Sequence, residues 1–94
     1  MFHCYILHSQ KLDRFYVGAT RNLDDRIKWH NDEIKNEGDS KRGIPWTLFH
    51  SIECETFSQA LKIEAHIKRM KSKVYIKNLK KYPEMNEKLL TKYA

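Results

Sequence analysis

The sequence predicts an α+β domain, a small three-stranded antiparallel sheet flanked by helices. Three observations carry that prediction. Two aromatic-rich runs, residues 2–8 and 14–18, are separated by a short polar stretch, the pattern of a hairpin. From Asn22 the apolar spacing changes from alternation to a helical period. The segments then follow in the order strand, strand, helix, strand, helix, helix, which suits one sheet with helices packed around it.

In the first strand His3 and Tyr5 face one side and Cys4 and Ile6 the other, because successive side chains alternate across a sheet. In the second strand Tyr16 and Gly18 share a face opposite Phe15 and Val17. A hairpin register that pairs like with like brings Tyr5 and Tyr16 to one surface. Leu23, Ile27, His30 and Ile34 recur at helical spacing, with Asn22 as the N-cap and Asp24 and Asp25 in the first turn, where the helix dipole favours acids. Residues 35–45 have a loop composition, and Trp46 to Cys54 returns to strand character. Thr56 or Ser58 can cap a second helix in which Ala60, Ile63, Ile67 and Met70 form the apolar stripe and Glu64 borders it. Ser72 opens a third helix that runs to about Lys81, where Pro83 is expected to stop it.

Ninety-four residues make one domain, expected over 1–82, with 83–94 as a C-terminal tail that has little to bury. No apolar run is long enough for a membrane span, and Met1 to Leu7 lacks the features of a signal peptide, so the expected location is cytoplasmic. Cys4 and Cys54 form no metal-binding or disulfide spacing and are expected as reduced core residues. Eighteen Lys and Arg against 12 Asp and Glu give a net charge of +6, which favours a polyanionic partner. Much of that charge, including Lys68, Lys73 and Lys77, lies in residues 62–81, either a solvated helix face or a phosphate-contacting one.

Taken singly, each unusual residue has an ordinary reading. Tyrosine suits strands, Arg26 and His30 four apart suit a helix edge, and a lone Glu64 suits a surface pair. Together Tyr5, Tyr16, Arg26, His30 and Glu64 supply what phosphodiester hydrolysis requires: a carboxylate for a divalent cation, a donor for charge on the phosphate, and a group to activate water.

The segments Cys4-Tyr5-Ile6-Leu7, Phe15-Tyr16-Val17-Gly18, and Asn22-Leu23 with Arg26 and His30 resemble the GIY-YIG nuclease pattern. Arg26 lies eight residues after Gly18, and Glu64 falls on the second helix at the place of the family's metal-binding glutamate. Gly43-Ile44-Pro45-Trp46, then Ser58, Ala60, Glu64 and Ile67-Lys68, resemble small stand-alone bacterial members, and the whole is similar to the N-terminal nuclease domain of excinuclease C. The resemblance implies the GIY-YIG endonuclease fold and a metal-dependent endonuclease acting on nucleic acid, with DNA the expected form and repair or recombination the expected setting. It further implies one divalent ion, Mg²⁺ or Mn²⁺, on Glu64, a water oriented or deprotonated by Tyr5 or Tyr16, the scissile phosphate on Arg26, and His30 as a relay or alternative base. Gly18, Arg26, Lys68, Lys73 and Lys77 are the expected nucleic-acid contacts, and the third helix is expected to border the cleft. His3 replaces the family's first glycine, and Ala19 stands where several members place a lysine. The alternatives are a binding module of the same fold with weak cleavage, and a structural protein whose phenolic face docks a partner.

Overall fold

The computed structural model describes residues 1–94 and contains strands β1 (Phe2–Ser9), β2 (Arg14–Thr20) and β3 (Trp46–Cys54). Helices α1 (Leu23–His30), α2 (Phe57–Met70), α3 (Lys73–Lys81) and α4 (Pro83–Lys92) surround them, with a short 3₁₀ helix at Asp39–Gly43. The sheet is antiparallel in the order β2-β1-β3, so β1 is central and β2 is an edge. Tyr5 pairs with Gly18 and Leu7 with Tyr16, which sets the two tyrosines diagonally on one face. Opposite β3 the register shifts between Ile6 and Leu7, from His50 to Leu48. None of the helices is long and apolar enough to cross a membrane.

The two faces of the sheet have different tasks. Cys4, Ile6, Val17 and Ile52 point into the main core, where Ala60, Ile63 and Ile67 of α2, Ile76 and Leu79 of α3 and Leu89 of α4 meet them. Burying such side chains stabilises the fold by roughly 1.5–3 kcal/mol each, so this face holds the molecule together. Cys4 and Cys54 belong to it as buried free thiols. The opposite face carries a smaller cluster of Tyr5, Leu7 and Trp46, with Tyr16, Leu23, Ile27 and Ile44 packed against it. It is this second face that collects polar side chains.

The helix caps follow the sequence. Asn22 Oδ1 accepts from the Asp25 amide at 3.1 Å, Thr56 Oγ1 from Gln59 at 3.0 Å and Ser72 Oγ from Tyr75 at 3.1 Å. Two segments depart from expectation. The first helix ends at His30, and Ile34 is 88% exposed, because Asp32 Oδ1 accepts from the amides of Ile34 and Lys35 and folds the chain into a turn. Pro83 ends α3 but also begins α4, since proline at the first helical position gives up only an amide that has no intrahelical partner. The tail therefore buries more than its spacing suggests. Leu89 is 4% exposed in the core, Asn86 Nδ2 donates to the Leu79 carbonyl at 2.8 Å, and Gln59 Nε2 donates to the Leu90 carbonyl at 3.1 Å.

Candidate active site

Tyr5 is the centre of the polar face. It is 1% exposed, and its ring lies over Gly18, where a Cβ would stand 2.5 Å from the phenolic oxygen. Glycine is required there for space. The phenolic oxygen is 2.9 Å from His30 Nε2 and accepts from Arg26 Nε at 3.4 Å. Both partners come from one face of α1, as residues four apart on a helix must. Tyr16 completes the group, its ring 6.4 Å from Tyr5 and 4.7 Å from His30 between centroids, and it remains half-buried where Tyr5 is enclosed. The Arg26 guanidinium stacks 4.2 Å from the Trp29 ring, which limits where it can point.

Burial pushes the Tyr5 phenol up, the Arg26 hydrogen bond and charge pull it down, and Tyr16 and Glu64 push it up further. Burial, aided by the Arg26 cation, pushes His30 down to about 4. The imidazole is therefore neutral at physiological pH, with one nitrogen to donate and one to accept.

His30 does not stand alone behind Tyr5. Its Nδ1 is 2.8 Å from Ser40 Oγ, and Asn36 Nδ2 donates to that same oxygen at 2.8 Å. Trp46 Nε1 donates to the Ser40 carbonyl at 2.6 Å, and Asn31 bridges the Trp46 backbone through both ends of its amide. Nothing in the sequence singles out Ser40 and Asn36. Short polar residues in a Gly- and Lys-rich stretch have the same signature whether they are solvated or buried, and only the 3₁₀ turn folded under Trp46 distinguishes the two.

Glu64, expected in the same cleft, is not brought into this cluster. It lies on α2, which packs against the opposite face, and no hydrogen bond or ion pair joins it to Tyr5, Tyr16, Arg26 or His30. Its charge is nevertheless among those that act on Tyr5, because β2 is an edge strand and α2 packs along it. Tyr16 and Lys68 line a common groove of about 370 Å³ between β2 and the α2–α3 junction, together with Arg14, Lys71 and Lys73. Lys68 Nζ pairs with Glu64 Oε2 at 2.6 Å. The two surfaces thus meet at the rim of β2.

The donor set is one carboxylate, with no cluster of three or more His, Cys, Asp or Glu side chains. This fits a hard divalent ion that keeps most of its water and takes its remaining ligands from substrate oxygens, and does not make the closed cage of a structural zinc site. To hold such an ion, Glu64 would have to exchange its present lysine partner for it.

The basic residues divide by position. Lys73 borders the groove and also donates to the Asp13 carbonyl at 2.9 Å. Lys77 lies outside that groove and lines the next depression, with His8, Asp13 and Phe49. Lys80 sits over the Phe49 ring at 4.7 Å.

A family model described as GIY-YIG catalytic domain matches residues 1–82, which takes in every side chain of this site. No curated protein and no solved structure matches the chain.

Proposed function

The chain belongs to the GIY-YIG family of nuclease domains, and we propose that this member is a metal-dependent endonuclease that hydrolyses DNA phosphodiesters, with a role in repair or recombination. The observation that carries the reading is the junction at the Tyr5 oxygen, where His30 Nε2 and Arg26 Nε converge at 2.9 and 3.4 Å. Burial raises this phenol, and the Arg26 hydrogen bond and charge oppose that rise, so the oxygen sits where a nearby cation can help it give up its proton.

Tyr5, once its own proton has been lost to solvent, takes a proton from the attacking water as the new P–O bond forms and the bond to the leaving sugar oxygen breaks, and Tyr16, the more open phenol, orients that water. Arg26 grips the scissile phosphate and stabilises the charge that develops on it. Glu64 would hold a Mg²⁺ or Mn²⁺ ion, which would supply charge neutralisation at the phosphate. Lys68, released from Glu64, and Lys73 hold flanking phosphates along the groove, and Lys77 extends the track. Nucleic-acid affinity therefore falls steeply with salt and carries little sequence preference.

The Lys68–Glu64 pair favours a second reading, a binding module in which the carboxylate is neutralised by lysine and cleavage is lost. Incubating the pure protein with labelled duplex, single-stranded and branched DNA and RNA, with Mg²⁺ or Mn²⁺ and with chelator, separates the two. Metal-dependent nicking of DNA supports the nuclease. Salt-sensitive binding with no cut on any substrate supports the module.

A further inference from the structure

A chain of buried polar groups runs from Gly38 through Asn36 and Ser40 to His30 and Tyr5, and its protons can be counted. The Gly38 amide can only donate, so Asn36 Oδ1 accepts from it at 2.9 Å. The His30 carbonyl can only accept, so Asn36 Nδ2 is the atom 2.8 Å from it, and that nitrogen also donates to Ser40 Oγ at 2.8 Å. The Asn36 amide has a single orientation that satisfies both. Ser40, 6% exposed, then has one acceptor within reach of its own proton, His30 Nδ1 at 2.8 Å.

We propose that Asn36 and Ser40 are positioning residues that hold His30 in the Nε2–H tautomer, so that the imidazole donates to the Tyr5 oxygen. The inference rests on the reading of Tyr5 as the proton-accepting phenol. In the opposite tautomer Nδ1–H fills the second lone pair of Ser40 Oγ and leaves the serine proton without an acceptor in an enclosed turn, a costly orphan. With Nε2 protonated, His30 and Arg26 both donate to one phenolic oxygen and neither accepts the phenol's own proton, so the arrangement opposes the burial that raises Tyr5 and leaves that proton the one to be given up. The groups that act on that oxygen are Arg26 and His30 from α1, Tyr16 from β2 and Glu64 from α2; of these only His30 has a donor role that depends on where its proton sits. Ser40 thus acts on the reaction two hydrogen bonds away from it.

The test uses the free protein first. Long-range ¹H–¹⁵N correlation spectra at neutral pH, with the His30 signals assigned by their absence in H30Q, are expected to show Nε2 protonated and Nδ1 bare. In S40A that fixed pattern gives way to averaged or altered ring shifts, and S40T restores it. The Trp46 bond to the Ser40 backbone carbonyl does not depend on the hydroxyl and keeps the turn in place in both variants. In cleavage assays S40A is expected to lose about tenfold at neutral pH, the size of one hydrogen bond to the base, with the acid limb of its pH–rate profile moved upward and S40T close to wild type. A wild-type His30 protonated on Nδ1 overturns the inference, as does an S40A protein whose ring shifts and pH profile match wild type. Because the tautomer is read on the protein alone, it is decided by the spectrum whether or not any substrate is cut.

Discussion

Replacing Gly18 by alanine tests the placement of Tyr5 with a single methyl group. The new Cβ would lie 2.5 Å from the Tyr5 phenolic oxygen, 2.6 Å from Cζ and 2.9 Å from Cε1, all inside contact distance. Reaching ordinary van der Waals separation requires the ring and β2 to part by about 1 Å. Tyr5 has little room for that, being 1% exposed and clustered with Leu7 and Trp46. The movement also carries the 2.9 Å bond to His30 past useful hydrogen-bond length. Overpacking of this kind costs about 1–3 kcal/mol and the lost bond about 1 more. For a domain of this size that lowers the melting temperature by about 10 °C or more. If Tyr5 is the proposed base, a displacement of about 1 Å lowers the rate by roughly a hundredfold. Thermal melts followed by circular dichroism and single-turnover nicking at enzyme excess read the two effects separately. A G18A protein that melts within about 2 °C of wild type and cuts within about twofold would refute the claim that Tyr5 is pinned over Gly18.

Changing Arg26→Ala removes the donor to Tyr5 and, on the proposed reading, the phosphate grip, so anisotropy titrations should show affinity lower by about 10- to 100-fold, and single-turnover rates should fall by a further hundredfold or so. Leu89→Ala should destabilise the protein by about 2–4 kcal/mol in urea melts although it lies outside the matched residues 1–82, because α4 seals the main core. His30 is held down to about 4 against an ordinary value of 6.5, so the unfolded chain binds its proton first as the pH falls. Stability should therefore be full above about 6.5 and decline between about 6.5 and 4, and in H30Q the urea-melt dependence over that window should flatten.

Features that depend on local chemistry were legible in the sequence. The alternation in β1 and β2 puts Tyr5 and Tyr16 on one face, and Asn22, Thr56 and Ser72 act as caps in the structure because a cap needs only a side-chain oxygen and a free amide two or three residues on. Features that depend on distant partners were not. Helical spacing continues through Ile34, but Asp32 competes for the backbone amides and ends the helix before it. Residues 83–92 gain their apolar surroundings only when Leu89 meets α2 and α3, which no window of the tail reveals. Ser40 and Asn36 become a buried pair only because Trp46 and Asn31 draw the turn under β3. Glu64 is legible as a residue beside an apolar stripe, but that α2 lies on the face opposite Tyr5 and leaves Glu64 paired with Lys68 depends on how the helix packs on the sheet.

Side-by-side nicking and binding by wild type and Glu64→Gln, with Mg²⁺ or Mn²⁺ present, most directly test the proposal that Glu64 is the metal anchor of a nuclease. Glutamine keeps the shape of the side chain and removes the charge a hard cation needs. Nicking should fall by about a hundredfold or more while affinity for DNA is unchanged or slightly tighter, because a negative charge has left the phosphate track and Lys68 is freed from its pair. Equal cutting by Glu64→Gln and wild type, under the same metal and at the same affinity, would contradict the assignment of this carboxylate and with it the metal-dependent mechanism built on it.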